Sequence, residues 1–332
     1  MKAIADAIGF NLVVISPTIA LVLTALILLF FTITIESNEK VKQVITFSGV
    51  VSTLFCVFLK FGLFLQNGVS SYFSKKILLD EFSLFGNVLI GLILLFNILP
   101  IWDSSSQLRE KTTEAIILTL MSTSGFMLMV DSENLIMLFI GLEIGSISLY
   151  ALAGLNRVDK LSNEASLKYF LLGSLASCIF IYGVSLVYVS FSVLSVYDFA
   201  TGVGFVGADS VPLTTKLGVI LIFIGLLFKI AAAPFQSWAP DVYQGSPTGY
   251  VGYMASVAKA SAFIVIARLC QVSLRFMPNE FDSFFLFVVI LSVVIGSIFA
   301  SVQDDLKRLL AYSGVVQSGF ILSGIVLSLI HI

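Results

Sequence analysis

The stretch LLFKIAAAPFQSWAPDVYQGSPT, which runs from Leu226 to Thr248, decides the fold. It begins as an apolar helix, places Lys229 inside that helix, and then contains three prolines. Proline removes a backbone donor and kinks or ends a helix. A helix broken at membrane depth is tolerated only where it is buried in protein or lines a wet cavity. The stretch therefore predicts a membrane helix broken near residues 229–240 by Pro234 and Pro240, with Lys229 as a buried base.

The composition of the whole chain is typical of a membrane protein. Of its 332 residues 58% are hydrophobic and only 11% are charged, whereas soluble domains carry about 25% charged residues. The net charge of −2 gives no basic surface for a nucleic acid. The three cysteines are far apart and there is a single histidine, so neither a metal site nor a disulfide framework is expected.

Ten apolar runs are long enough to cross a bilayer, which takes about 20 mostly apolar residues. They lie near residues 13–35, 44–65, 82–102, 113–131, 134–155, 165–195, 213–233, 247–270, 282–302 and 308–330. Since the alternation of a β-barrel is absent, we predict an all-α polytopic membrane protein with about ten transmembrane helices. The first run is long enough to span the bilayer and has only Lys2 before it, so we interpret it as a retained helix.

Two segments outside these runs need their own interpretation. The segment 70–83, SSYFSKKILLDEFS, is too short and too charged to span, so we predict a short strand pair or an interfacial helix. The segment 202–207, GVGFVG, matches the glycine pattern of dinucleotide sites. No strand–helix–strand unit surrounds it and Asp209 is too close to be the ribose-binding acid, so we predict a loop without a nucleotide site.

Three ionisable residues stand near the middle of apolar runs. Glu143 is roughly 14–18 Å from either end of its run at 1.5 Å per residue, and Lys229 and Lys259 are comparably deep. A charge at this depth costs on the order of 2.5–3.5 kcal/mol, and such residues usually serve ion or proton pathways. Burial lowers the pKa of a lysine amine and a nearby carboxylate raises it, so a changing Glu143–Lys229 distance would move a proton. A static ion pair that fixes helix register is the alternative.

Two further lysines lie within apolar runs but close to helix ends. For Lys60 we expect the long side chain to reach the membrane surface while its stem stays in apolar surroundings. For Lys168, which is about three residues inside its helix, the same explanation and a role at a proton entrance are both open.

Four stretches together resemble a known family. Beside Leu226–Thr248 these are LFIGLEIGSISLYALAGL (138–155), EASLKYFLLGSLAS (164–177) and DDLKRLLAYSGVVQSGFILSGI (304–325). In this order they resemble subunit N of bacterial NADH:quinone oxidoreductase (respiratory complex I), the counterpart of mitochondrial subunit 2. The resemblance runs from about Phe82 to the end of the chain, and the motif PDVYxGxPT favours subunit N over its sister antiporter-like subunits.

The resemblance implies a proton-translocating subunit with two inverted repeats of five helices. Residues 1–112 would form an N-terminal three-helix segment, 113–270 the first repeat, and 281–332 an incomplete second repeat. In the family a glutamate on the fifth helix pairs with a lysine on the broken seventh helix, and a lysine on the eighth helix continues the polar axis. The matching residues in this sequence are Glu143, Lys229 and Lys259. The family's histidines in two of these motifs are replaced by Gln236 and Gln317, so histidine relays are not expected at those points.

The resemblance also implies partners and a location. The chain would act as an enzyme only as a subunit, among other membrane-arm subunits that include sister antiporter-like subunits, and would bind no cofactor of its own. FMN, iron–sulfur clusters and quinone would be used elsewhere in the complex. We expect the inner (cytoplasmic) membrane of a bacterium. An external N-terminus is favoured, because the loops that would then be internal hold slightly more Lys and Arg than the external segments.

Two alternatives stay open at this point. The buried Glu and Lys pattern also fits a subunit of a multi-subunit Na⁺/H⁺ antiporter. The sequence stops at Ile332 within an apolar run, which predicts a truncated chain that lacks the charged residue of the family's twelfth helix. An inactive truncated copy is therefore the second alternative.

Overall fold

The computed structural model describes residues 2–34, 39–102, 111–207, 210–273 and 278–331. Asp209 and Ile332, which the sequence interpretation used, lie outside these residues. Twelve α-helices and one antiparallel strand pair form within them. In chain order they are α1 (Lys2–Thr34), α2 (Glu39–Asn67), β1 (Ser70–Tyr72), β2 (Ile77–Leu79), α3 (Glu81–Trp102), α4 (Thr112–Asp131), α5 (Leu135–Ala153), α6 (Lys160–Phe191), α7 (Val196–Val206), α8 (Leu213–Lys229), α9 (Trp238–Gly245), α10 (Thr248–Ser273), α11 (Pro278–Ser301) and α12 (Leu306–His331).

The prediction of an all-α polytopic membrane protein is confirmed. In the described ranges nine helices are long and apolar enough to cross a membrane. The remaining predicted run, 213–233, becomes α8, which has 17 residues and ends at Lys229 among buried residues. The chain is a multi-pass membrane protein.

Close backbone contact joins α4 to α5 near the centre of the bundle. A Cβ atom on Gly125 would overlap the backbone nitrogen of Gly145, and a Cβ on Gly141 would overlap that of Met129. Small residues let helices approach in a membrane, where packing replaces the hydrophobic effect as the main attraction. This approach fixes the position of α5, which carries Glu143.

The segment 70–83 forms the predicted strand pair rather than an interfacial helix. Ser70, Ser71 and Tyr72 pair with Leu79, Leu78 and Ile77 in antiparallel register. Ile77 also forms an isolated bridge to Ser132 in the turn between α4 and α5. The hairpin is thereby tied to the end of the bundle at which α4 stops.

The prediction of a loop at 202–207 is wrong, because residues up to Val206 belong to α7. Ser195 caps its first turn by accepting from the Asp198 N–H at 3.2 Å. Val196, Phe199, Ala200 and Val203 recur at helical spacing and are buried. Burial of this face outweighs the low helix propensity of two glycines. Only Gly207, at φ 82°, lies past the helix end.

The predicted break is confirmed, although one of its two prolines lies elsewhere. Residues 230–237 separate α8 from α9 and are not helical, and Pro234 lies among them. Pro240 instead lies in the first turn of α9. A proline there removes an N–H that has no partner within the helix, so Pro240 is compatible with α9 and does not break it.

Candidate functional site

The amine of Lys229 ends α8 inside the protein and contacts two hydroxyl groups of α5. Its Nζ donates to Ser146 Oγ at 3.0 Å and to Tyr150 OH at 3.0 Å. Only 2% of the residue is exposed. Glu143, Ser146 and Tyr150 follow one another at positions i, i+3 and i+7, which places them along one face of the helix. That face of α5 forms one wall of the site.

Glu143 and Lys229 lie on the same wall but are not joined. The Glu143 carboxylate accepts a hydrogen bond from Ser177 of α6. No ion pair links Glu143 to Lys229, although both belong to the described part of the chain. The hydroxyl partners of the amine are three and seven residues beyond Glu143, or about 5 and 10 Å along the helix axis. The predicted pair is therefore open in this structure: one hydroxyl group holds the carboxylate and two others hold the amine.

Neighbouring side chains satisfy the backbone groups that the helix break frees. Three hydrogen bonds do this: Trp238 Nε1 donates to Phe228 O at 3.0 Å, Ser318 Oγ donates to Ile230 O at 2.8 Å, and the Ala233 N–H donates to Ser292 Oγ at 2.9 Å. Buried backbone groups need such partners. The donors and acceptors come from α9, α11 and α12, so the break is held open by the protein itself.

Lys259 lies near the middle of α10 and faces α12. Its Nζ donates to Gly314 O at 3.1 Å, and Ser318 Oγ donates to the same carbonyl at 2.8 Å. The Ser318 hydroxyl has one proton, and it lies within hydrogen-bonding distance of both Gly314 O and Ile230 O, so polar atoms extend from Lys259 toward the break. These contacts end at the backbone of Ile230, the residue that follows Lys229, and do not include the Lys229 amine.

A cavity of about 640 Å³ opens beside Lys259, between α3, α10 and α12. Its polar lining includes Tyr243, Ser256, Lys259, Ser313 and Gln317, and the rest is mostly apolar. Gln317, one of the two positions at which the resemblance implies a histidine in the family, is exposed on α12. Gln236, the other such position, lies in the helix break, and its buried Oε1 has no hydrogen-bond partner among the described residues.

Lys168 takes part in a cluster of charges that joins α6, α9 and α12. Its Nζ lies 2.7 Å from Glu164 Oε1 and 2.7 Å from Asp241 Oδ2. Arg308 of α12 approaches the other oxygen of Asp241 at 2.6 Å. Burial favours a higher pKa for the Asp241 carboxyl, but the hydrogen bonds from Lys168 and Arg308 outweigh it and lower this pKa below its ordinary value. One carboxylate on α9 thereby joins α6 to α12.

Lys60 does not reach the membrane surface, contrary to expectation. It is fully buried, and its Nζ lies 2.6 Å from Asp131 Oδ1 at the end of α4. Asn87 of α3 donates to the same oxygen at 2.6 Å. The snorkelling interpretation failed because a carboxylate supplied from another helix offers the amine a partner inside the bundle. A second buried pair, Arg268 and Asp80 at 2.6 Å, lies near the same end.

Sequence reasoning missed Ser146, Tyr150 and Ser177, because neutral side chains do not stand out in apolar helices. Their spacing from Glu143 on α5 was the available signal for the first two. Within the described ranges no group of three or more His, Cys, Asp or Glu side chains could hold a metal ion. The site is an arrangement of amines, carboxylates and hydroxyls, which can hold and pass protons.

A family model described as NADH:quinone oxidoreductase/Mrp antiporter, TM, matches residues 132–331, which is more than half of the chain. The chain belongs to this family. The match includes the helix break and the three residues Glu143, Lys229 and Lys259.

Individual relatives agree with the family. NADH-quinone oxidoreductase subunit N of Trichlorobacter lovleyi is 35% identical over 317 residues, covering 95% of this chain and 63% of the relative. A chain in the solved structure of respiratory complex I from Thermus thermophilus with bound Aureothin is 29% identical, with a TM-score of 0.76 over 93% of this chain and 64% of that one. This chain therefore spans less than two thirds of the length of either protein.

The same fold occurs in a more distant complex. A chain of the Mrp complex from Dietzia sp. DQ12-45-1b superposes with a TM-score of 0.79 over 94% of this chain and 59% of that one. Its sequence is only 18% identical, so this likeness concerns the fold alone.

Proposed function

We propose that this chain is the subunit N component of a proton-translocating NADH:quinone oxidoreductase. Its task in that complex is to move protons across the membrane, while NADH oxidation and quinone reduction take place in other subunits. The identity to relatives named subunit N supports this assignment. FMN, iron–sulfur clusters and quinone belong to those other subunits, and this chain holds no cofactor.

One observation carries the proposal: at the break of a membrane helix, a lysine amine is buried and its hydrogen-bond partners among the described residues are neutral hydroxyl groups. Lys229 is bonded to Ser146 and Tyr150, and Glu143 is near it on the same helix face but is not paired with it. A hydroxyl group can donate to a neutral amine or accept from a charged one. The amine keeps its partners in both protonation states, as a proton carrier must.

The remaining ionisable residues take roles around this carrier. Glu143 modulates the charge of Lys229 as the distance between them changes, since opposite charges favour each other's ionised form. Lys259 passes the proton along the polar axis toward α12. Lys168 marks the proton entrance, and we call the charged cluster of Lys168, Asp241 and Arg308 the mouth. The ion pair of Lys168 with Asp241 links α6 to α9 there.

The proposed location is the inner membrane of a bacterium, with the N-terminus outside. Lys168, Asp241 and Arg308 then lie toward the cytoplasm, because α6 and α12 begin at the end of the bundle opposite to the N-terminus of α1. Proton uptake from the cytoplasm fits an entrance at that end. The partners are the other membrane-arm subunits, including the sister antiporter-like subunits.

The test is to isolate the protein with its partners from native membranes. An affinity tag on the chain and mild detergent should co-purify an assembly that oxidises NADH and reduces quinone. In vesicles that contain this assembly, NADH should drive proton uptake. An assembly without NADH oxidation, whose vesicles show a sodium-dependent pH change, would contradict the proposal and favour the antiporter that the family description also names.

A further inference from the structure

A phenol hydroxyl lies beside the amine of Lys229, on the side of the charged mouth. Tyr150 OH accepts from Lys229 Nζ at 3.0 Å. Tyr150 is seven residues further along α5 than Glu143, toward the end at which α6 begins. Tyr150 therefore stands on α5 nearer than Glu143 to the end at which the entrance cluster of Lys168 and Asp241 lies.

The neighbouring helix fixes the depth of this hydroxyl. A Cβ atom on Gly173 of α6 would overlap Tyr150 OH, so the hydroxyl occupies the space left by the missing side chain. Gly173 is five residues from Lys168 and four from Ser177 along the same helix. At 1.5 Å per residue, these separations are about 7.5 Å and 6 Å. Tyr150 thus offers a hydroxyl at a depth between the ion-paired mouth and the hydroxyl that holds Glu143.

Aromatic packing holds the ring of Tyr150 in this position. The ring meets Tyr169 edge to face, with centroids 4.7 Å apart, and meets Phe170 at 5.9 Å. Tyr169 in turn stacks on Trp238 of α9 at 4.6 Å. Such contacts favour definite geometries. The phenol of Tyr150 therefore lies between α5 and α6, and Tyr169 connects it to α9.

We propose that Tyr150 relays protons from the mouth to Lys229 and that Gly173 positions its hydroxyl for this step. The phenolic oxygen accepts a proton from a hydronium ion that arrives from the mouth, and at the same time the phenolic proton passes to the neutral Lys229 amine. The phenol is regenerated, the amine becomes an ammonium, and the hydronium becomes water. No phenolate is formed, so the step suits a group whose ionised form is costly in a buried site.

This inference rests on the proposed function, because it names one residue of the proton path that the function requires. It differs from a packing role in one respect. Packing depends on the volume at the contact of Tyr150 and Gly173, whereas the relay depends on a hydroxyl group there. The two roles can be separated by variants that keep the volume and change only the hydroxyl.

The first experiment removes the hydroxyl and keeps the ring. Tyr150→Phe in the chromosomal copy should lower NADH-driven proton uptake in native membrane vesicles at least about tenfold, since positioned proton transfer contributes typically 10²–10⁴-fold. Tyr253→Phe is the matched control, because it removes a buried phenol hydroxyl that is bonded to Thr123 at 2.8 Å in another part of the bundle. It should pump at the rate of the unaltered protein. Equal rates for Tyr150→Phe and the unaltered protein would overturn the relay.

The second experiment restores a hydroxyl from the opposite helix. Tyr150→Leu combined with Gly173→Ser places a serine hydroxyl beside the position that the phenol vacates. Tyr150→Leu combined with Gly173→Ala fills nearly the same space without a hydroxyl. The serine pair should pump several-fold faster than the alanine pair at equal amounts of assembled protein. Equal rates for the two pairs would contradict the relay, whatever Tyr150→Phe does to folding.

Lys229→Met in the same vesicles separates failure of the relay from failure of the proposed function. If Lys229→Met abolishes proton uptake while Tyr150→Phe leaves it unchanged, only the relay is wrong. If Lys229→Met leaves uptake unchanged, the central-carrier function is wrong and the relay with it.

Discussion

Among the residues that the structure describes, two lysines are buried, and they differ in what holds the amine. Lys60 on α2 is fully buried and lies 2.6 Å from the carboxylate of Asp131. Lys229 at the end of α8 is 2% exposed and donates to two hydroxyl groups at 3.0 Å each. The first amine has an opposite charge as its partner and the second has neutral groups.

The difference separates a structural lysine from one that can exchange protons. A carboxylate and an ammonium in a buried site depend on each other, since removing either leaves an uncompensated charge. Hydroxyl groups serve as donors or acceptors and so tolerate both forms of the amine. Burial alone therefore does not distinguish the proposed proton carrier, Lys229, from Lys60, whereas the chemistry of the contacting atoms does.

The largest effect on stability is expected where the carboxylate loses its partner. Lys60→Met leaves Asp131 buried without an ammonium and should lower the free energy of unfolding by about 3–5 kcal/mol. The measurement is the thermal unfolding midpoint of the detergent-solubilised protein, together with its amount in the membrane. A shift no larger than that of an exposed substitution would show that the pair is not structurally important.

The matched control removes both members of the pair. Lys60→Met combined with Asp131→Leu should recover most of the lost stability, because apolar residues of similar volume often replace a buried ion pair without cost. Asn87, which donates to Asp131 at 2.6 Å, loses one partner in this variant but still donates to Ser83 O at 2.7 Å. Failure of the double variant to recover would mean that Lys60 stabilises the bundle through contacts other than the ion pair.

A smaller effect on stability and a large one on activity are expected at the other lysine. Lys229→Met removes two hydrogen bonds to hydroxyl groups, each with a net contribution of about 0.5–1.5 kcal/mol, while the stem remains packed. The unfolding midpoint should fall less than in Lys60→Met. Proton uptake driven by NADH should nevertheless be lost. If Lys229→Met destabilises the protein as strongly as Lys60→Met, the proposed distinction between the two lysines is wrong.

The sequence allowed the membrane fold to be predicted because its signals are local. Ten long apolar runs and a proline in the eight residues after Lys229 were sufficient for the spans and the break. The partner of Lys60 could not be predicted in this way, since Asp131 is 71 residues distant and stands at the end of the predicted run 113–131. At 202–207 the local signal misled, because burial of one face of α7 outweighed its glycines.

The candidate site was predicted only as far as charge made it visible. Glu143, Lys229 and Lys259 were identified because ionisable side chains are rare at membrane depth. Ser146 and Tyr150 are ordinary residues in an apolar helix, and only the bundle shows that they contact the amine. The open arrangement of Glu143 and Lys229 also depends on how α5, α6 and α8 pack, which no local pattern specifies.

A partly exposed ion-pair cluster, formed by Asp241 with Lys168 and Arg308, extends the comparison. Asp241 is 31% exposed and faces two cations, Lys168 and Arg308. Exposed pairs are typically worth about 0.2–1 kcal/mol, because water screens the charges and the side chains lose freedom. Asp241→Asn should therefore lower the unfolding midpoint less than Lys60→Met does. Asp198→Asn, which removes a more exposed pair with the single cation Lys75, should have the smallest effect.

The effect of Asp241→Asn should also depend on pH, with a definite sign. The cations lower the pKa of the folded Asp241 carboxyl below its ordinary value despite the opposing effect of burial. A carboxyl with a lower pKa in the folded state stabilises fully above its unfolded pKa of about 3.9, and this contribution is lost as pH falls through the folded pKa. The difference in unfolding midpoint between the unaltered protein and Asp241→Asn should thus be constant near neutral pH and shrink in acid. A difference that grows as pH falls would mean that the carboxylate is destabilised at the mouth, and α9 would then be held against α6 and α12 by contacts other than these charges.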